Sequence, residues 1–164
     1  GSSDRTVYRP EMPKAPNRHG WSPDLGVEGV LMNRVRANRK PISGLETGRE
    51  AMDVFSGLTD RQSEAILLLT FIPQQETGAM EKIAVAWRRG DPDTIAQEMK
   101  KTSADFPAFQ ERLIDARNRR WMPQIERDLH SGHTYFVVVG AGHIGGPQGL
   151  LAALRARGDR IEQL

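Results

Sequence analysis

One stretch near the end of the chain, Thr134 to Pro147, constrains the fold most. Its first six residues, Thr134-Tyr135-Phe136-Val137-Val138-Val139, are all β-branched or aromatic. Such side chains favour a pleated strand, and an unbroken apolar run fits a strand covered on both faces. The chemistry then changes. Gly140, Gly142, Gly145 and Gly146 surround His143, and Pro147 opens an apparent helix from Gln148 to Arg157. The pattern predicts a strand, a permissive loop and a helix N-terminus, with a titratable residue in the loop. Clefts in α/β sheets form outside the carboxyl ends of strands, where His143 would lie.

Three readings of this loop compete on spacing alone. Gly140, Gly142 and Gly145 satisfy G-x-G-x-x-G after a strand, and Glu162 follows where a ribose-binding acid is expected. Against that phosphate-loop reading, the helix starts only at Pro147, beyond the third glycine, and no later strands complete a nucleotide domain. The second reading is a tight strand-to-helix connection with an exposed histidine. In the third, His143 is a metal ligand or acid/base group on a loop thin enough for substrate to approach the backbone.

Composition narrows the field. With 23 basic and 21 acidic side chains the net charge is only +2, and aromatics are sparse, so nucleic acid is not an expected partner. Without cysteine there are no disulfides or thiolates, and any metal must take nitrogen or oxygen ligands. No apolar run is long enough to cross a bilayer, and no signal peptide is recognisable. Gly1-Ser2-Ser3 reads as a cut end, compatible with a removed leader.

Residues 1 to 24, with Pro10, Pro13, Pro16 and Pro23, read as an extended or poorly ordered arm, with Trp21 docking on the body. Residues 25 to 164 form the folded region. Asp24 to Arg39 has helical spacing. Pro41 to Glu46 is a short strand candidate, and Thr47 with Glu50 forms a capping box that starts a helix at Gly48. Glu46 thus ends a strand beside a helix N-terminus, where a carboxylate is favoured on structural grounds alone. If this strand and that before His143 are parallel neighbours, Glu46 and His143 share one sheet edge.

Thr59 to Gln62 is a second capping box, followed by a helix with Ala65, Ile66, Leu68, Leu69 and Ile72 on a broad apolar face and stopped by Pro73. Glu76 to Arg89 and Asp93 to Lys101 read as packing helices, the first with Met80, Ile83, Ala84 and Trp87 on one side, the second with Ile95 and Met99 inward. From Asp105 to His130, Phe109, Leu113, Arg117, Trp121, Ile125 and Leu129 recur every fourth residue as one seam. Arg117 is its charged member. It is either a snorkelling or ion-paired arginine, or a guanidinium that clamps a carboxylate or steadies developing negative charge. Pro123 is expected to kink the helix. His130 and His133 have ligand spacing, but Ser131-Gly132 breaks the turn between them. Arg160 to Leu164 reads as a final short strand.

The resulting fold expectation is α/β: a small mixed sheet with a multi-helix insert, incomplete by itself. So few strands do not make an independent sheet, which predicts self-association or strand exchange.

Val137 to Leu164, VVVGAGHIGGPQGLLAALRARGDRIEQL, resembles the C-terminal signature of the TraB/GumN family, which includes the TIKI-type metalloproteases. Gly26 to Leu58 is similar to the family's middle segment, and Ala116 to Glu126 to the helix before its last strands. The family carries two G-x-x-H motifs. Only the second is found here, as Gly140-Ala141-Gly142-His143, so the chain resembles the C-terminal half of such a domain. The resemblance implies a metal-dependent hydrolase, with peptides or small molecules as substrate. It implies a divalent ion (Mn²⁺, Co²⁺ or Zn²⁺) on His143 and Glu46, with Arg117 holding substrate or oxyanion, and an extracytoplasmic or periplasmic setting. The other class of function is a non-catalytic module in which Gly140, Gly142 and Gly145 grip an anionic ligand or a partner. A homo-oligomer, or association with the absent half, is the expected assembly.

Overall fold

A computed structural model describes residues 26–71 and 78–164. The expected arm over residues 1 to 24, with Trp21, and the Ile72–Pro73 helix end lie outside them. The chain divides into two compact units, one to Ala51 and one from Met52.

In the first unit, α1 (Val27–Ala37) has no buried residue. It ends at Asn38 and Arg39. Lys40 donates its amide to the carbonyl of Val35, with Arg39 at φ 52°. This is the left-handed helix stop usually assigned to glycine. The first capping box forms as expected. Thr47 donates its amide to the Glu50 carboxylate at 2.7 Å, and Glu50 donates its amide to the Thr47 hydroxyl at 3.2 Å. The short α2 (Gly48–Met52) follows.

The second unit holds the core. The capping box of Thr59 and Gln62 starts α3 (Asp60–Phe71), with amide-to-side-chain bonds of 2.9 and 3.3 Å. α4 (Ala79–Arg88) packs against α5 (Pro92–Thr102). Asp91 caps α5, accepting from the Thr94 amide at 3.0 Å, and Pro92 occupies the first turn, where its missing N–H is no loss. Glu98, buried on α5, accepts from the Lys101 ammonium at 2.6 Å and lies 3.9 Å from that of Lys82 on α4. A buried carboxylate needs such partners. The buried face of α4 is rotated from expectation: Ala79 and Ala86 are buried and Ile83 and Ala84 half-buried, whereas Met80 and Trp87 are exposed.

The long helical segment is in three parts: α6 (Pro107–Gln110), a wider π-helical turn (Glu111–Asp115) and α7 (Ala116–Leu129), which runs on through Pro123. Its buried residues are Ile114, Asn118, Trp121, Met122 and Ile125. The every-fourth-residue seam is therefore corrected. A repeat of four drifts by about 40° per step on a helix of 3.6 residues per turn, so Leu129 ends up exposed. α8 (Leu150–Ala156) buries Leu150 against the body, and Gly158, at φ 88°, closes it as Asp159 donates its amide to the Leu154 carbonyl.

The α/β expectation is overturned. Among the described residues there is no strand and no sheet, and the architecture is helical. Pro41 to Glu46, Thr134 to Val139 and Arg160 to Leu164 all run without a ladder. β-propensity describes a fit to a pleated, half-covered surface. Where no neighbouring strand supplies that surface, the run stays irregular.

Candidate functional site

The glycine loop presents His143 to α7. A short 3-10 turn, Ala141–His143, is closed by the His143 amide donating to the Gly140 carbonyl at 2.9 Å. Its glycines make close approaches to α5. A Cβ on Gly145 would overlap the carbonyl of Pro92 and come within 2.7 Å of the Asp93 nitrogen. A Cβ on Gly142 would overlap the Met99 thioether. The Gly146 amide, also in the loop, donates to the Asp93 carboxylate at 2.7 Å. An internal carboxylate thus takes one loop amide that an anionic ligand would have sought.

This seating drives the imidazole of His143 into α7, where only 6 % of the residue is exposed. Nδ1 lies 2.8 Å from Oδ1 of Asn118. The Asn118 amide nitrogen donates to the carbonyls of His143 (3.2 Å) and Gln148 (2.9 Å), so its oxygen is the atom left to face the ring. Oδ1 can only accept, so Nδ1 carries the proton and Nε2 the lone pair. Nε2 meets a guanidinium nitrogen of Arg117 at 3.3 Å, and the same nitrogen donates to the Leu113 carbonyl at 3.0 Å. Trp121 backs both groups: its ring lies 4.5 Å from the imidazole centroid and 4.8 Å from the guanidinium carbon. The indole thus offers an apolar wall to His143 and a π face to Arg117.

The structure therefore brings Arg117 and His143 together. Glu46 lies in the first unit, partly buried in the segment before α2. The sheet edge expected to carry both Glu46 and His143 is absent among the described residues. His130 donates from Nδ1 to the Glu126 carbonyl at 2.8 Å and closes the end of α7.

A model of the TraB/PrgY/gumN family matches residues 11–163. The chain belongs to this family. No curated protein and no solved structure matches it. In this TraB/PrgY/gumN chain the loop Gly140-Ala141-Gly142-His143 carries the buried imidazole, and the helix it packs on carries Arg117.

The metal implied by the resemblance does not fit the described residues as arranged. No three His, Asp or Glu side chains converge among them. Of the two imidazole nitrogens, one is bonded to Asn118 and the other faces a cation. Among the described residues no helix is long and apolar enough to cross a membrane.

Sequence reasoning did not single out Asn118. The signal was there: Ile114, Asn118, Trp121 and Ile125 stand at i, i+4, i+7 and i+11, a buried stripe with one polar member. A separate open hollow of about 670 Å³ is lined by Asp53, Ser56, Arg112, Arg119 and Arg120 among others, and contains none of the expected site residues. Arg112 there donates to the Ser56 carbonyl, and Arg119 pairs with Glu111.

Proposed function

We propose that this TraB/PrgY/gumN chain contributes the acid/base and anion-stabilising groups of a hydrolase acting on peptides. The observation that supports it is the fixed tautomer of His143, whose lone pair at Nε2 is directed at the Arg117 guanidinium. With the Arg117 guanidinium turned from Nε2 onto the substrate, a neutral imidazole held this way can take a proton at Nε2 from an attacking water and return it to the leaving amine. The guanidinium beside it is placed to hold a substrate carboxylate or the oxyanion that forms as water adds. Asn118 keeps the proton on the far nitrogen, as the orienting partner of a catalytic histidine does. Trp121 keeps water from the rear of the ring. The metal dependence implied by the resemblance enters no step here. Glu46 enters on the resemblance alone, as a candidate carboxylate partner.

The test is peptide cleavage. A mixed peptide library is incubated with the chain, with and without added Mn²⁺, Co²⁺ or Zn²⁺, and new termini are read by mass spectrometry. The reading expects cleavage that falls at least about a hundredfold in His143→Gln and in Arg117→Met, by the usual size of acid/base and oxyanion effects. Cleavage unchanged in both variants, or absent under every condition, contradicts it.

A non-catalytic module built on the glycine loop has less support, because Gly142 and Gly145 face α5 and the Gly146 amide is already bonded to Asp93.

A further inference from the structure

The open hollow beside the connection from α2 to α3 takes no part in the hydrolase reading. Ala116, Arg119 and Arg120, at i, i+3 and i+4 on α7, line it from the helix face opposite Asn118, Trp121 and Ile125. It therefore lies across the helix from His143. Arg112 reaches it from the π-helical turn, a break in helical regularity that recurs at functional sites. The Arg112 guanidinium is seated against the connecting loop. It donates to the Ser56 carbonyl, and a Cβ on Gly57, at φ 80°, would stand 3.2 and 3.3 Å from its two terminal nitrogens. The Ser56 hydroxyl donates in turn to the Asp53 carbonyl at 3.1 Å, which ties the loop together. Arg119 is neutralised by Glu111. Among the described residues neither Arg112 nor Arg120 has a carboxylate partner, so two cations share the hollow, with Asp53 as its acidic wall. Clustered like charges repel one another, and an anion between them removes that cost.

We propose that this hollow binds a small phosphorylated molecule, with Arg112 and Arg120 clasping the phosphate. A carboxylate has two oxygens and is filled by one guanidinium fork. A phosphate ester offers three oxygens and a charge of about −1.5 to −2 at neutral pH, which suits two forks arriving from different turns. Arg112 spends one of its five donors on Ser56, so the rest of its fork is left for the ligand. The volume, about 670 Å³, exceeds what a bare phosphate needs and falls among small-molecule sites, roughly 300–1,000 Å³. The organic part has an apolar wall in Val54 and Ala116 and an acceptor for its hydroxyls in the Asp53 carboxylate. The same carboxylate disfavours a second anionic group at that end, so a ligand charged at one end and hydroxylated at the other fits best.

Isothermal titration of the whole chain with ribose 5-phosphate at low salt tests this, with ribose, inorganic phosphate and succinate as comparison ligands. Ribose 5-phosphate is expected to fill one saturable site per chain. Inorganic phosphate is expected to bind more weakly, succinate at least tenfold more weakly, and ribose not at all. Arg120 is exposed and holds no other side chain among the described residues, so Arg120→Met should leave the helical circular dichroism unchanged while weakening ribose 5-phosphate at least tenfold. Arg117→Met, on the other face of α7, should leave that binding unchanged. No saturable binding of ribose 5-phosphate overturns the proposal. So does succinate that binds equally well, or binding that survives Arg120→Met and is lost in Arg117→Met.

Discussion

Asn118 and His143 hold each other twice: the imidazole donates from Nδ1 to the Asn118 oxygen at 2.8 Å, and the Asn118 amide donates back to the His143 carbonyl at 3.2 Å. With a third bond to the Gln148 carbonyl, one side chain of α7 fixes the backbone on both sides of the glycine turn and the tautomer within it. Asn118→Ala leaves two carbonyls without this donor and the ring without its acceptor. The expected loss is about 3 kcal/mol, since each buried polar group left unsatisfied costs roughly 1–3 kcal/mol. Thermal unfolding should show it as a midpoint drop of roughly 10 °C.

Gly142 and Gly145, both close against α5, should differ in their tolerance of a methyl group. At Gly145 the obstacle is the Pro92 backbone, which cannot yield without moving the start of α5. At Gly142 it is the end of the Met99 side chain, which can swing aside. Gly145→Ala should destabilise by about 3 kcal/mol or more and Gly142→Ala by about 1 kcal/mol. Denaturant titration of the two variants checks the order. Equal losses would mean the loop is seated differently.

Arg39, at φ 52°, occupies a backbone region that costs a residue with a Cβ about 1 kcal/mol or more. Arg39→Gly should relieve that cost without disturbing the bond from the Lys40 amide to the Val35 carbonyl. Hydrogen exchange at the end of α1 is the measurement, with slower exchange expected in the variant.

The carboxylates give opposite pH signatures. The hydroxyl and amide of Thr94 hold Asp91 below its ordinary value of 3.8, and the Lys101 ammonium bonded to Glu98 holds it below 4.5. Both groups contribute stability that is present above those values and lost as the pH falls through the lowered ones. Asp115 runs the other way, because burial and then the charge of Glu111 hold its carboxyl above 3.8. Its contribution is present below 3.8 and lost as the pH rises through the raised value. Asp115→Asn should therefore raise the unfolding midpoint at neutral pH by about 1–2 °C, and the gain should vanish below pH 3.8.

Local signals were legible in the sequence where the physics is local. Thr47 with Glu50, Thr59 with Gln62, Pro92 in a first turn and Gly158 past a last turn all act within a few residues, and each does what its spacing implies. Thr134 to Val139 is the counter-example: its composition favours a strand, but a strand needs a neighbour, and that information is not local. Asn118 was hidden for a related reason. The π-helical turn at Glu111–Asp115 and the 3.6-residue repeat carry the buried face from Ile114 through Asn118 to Trp121, away from a strict four-residue seam. The glycines looked like a ligand cradle, and the absence of their side chains is accounted for instead by Met99 and Pro92.

The central claim is that His143 is held as the neutral Nδ1–H tautomer, with Nε2 turned to Arg117. Long-range ¹⁵N–¹H correlation spectra of the histidine rings at neutral pH test it directly, with His143 assigned by its loss in His143→Gln. The account predicts a protonated Nδ1 and an unprotonated Nε2 at His143, and a change in the Nε2 signal in Arg117→Met. A proton on Nε2, or a ring averaging between tautomers like a solvent-exposed histidine, would contradict it.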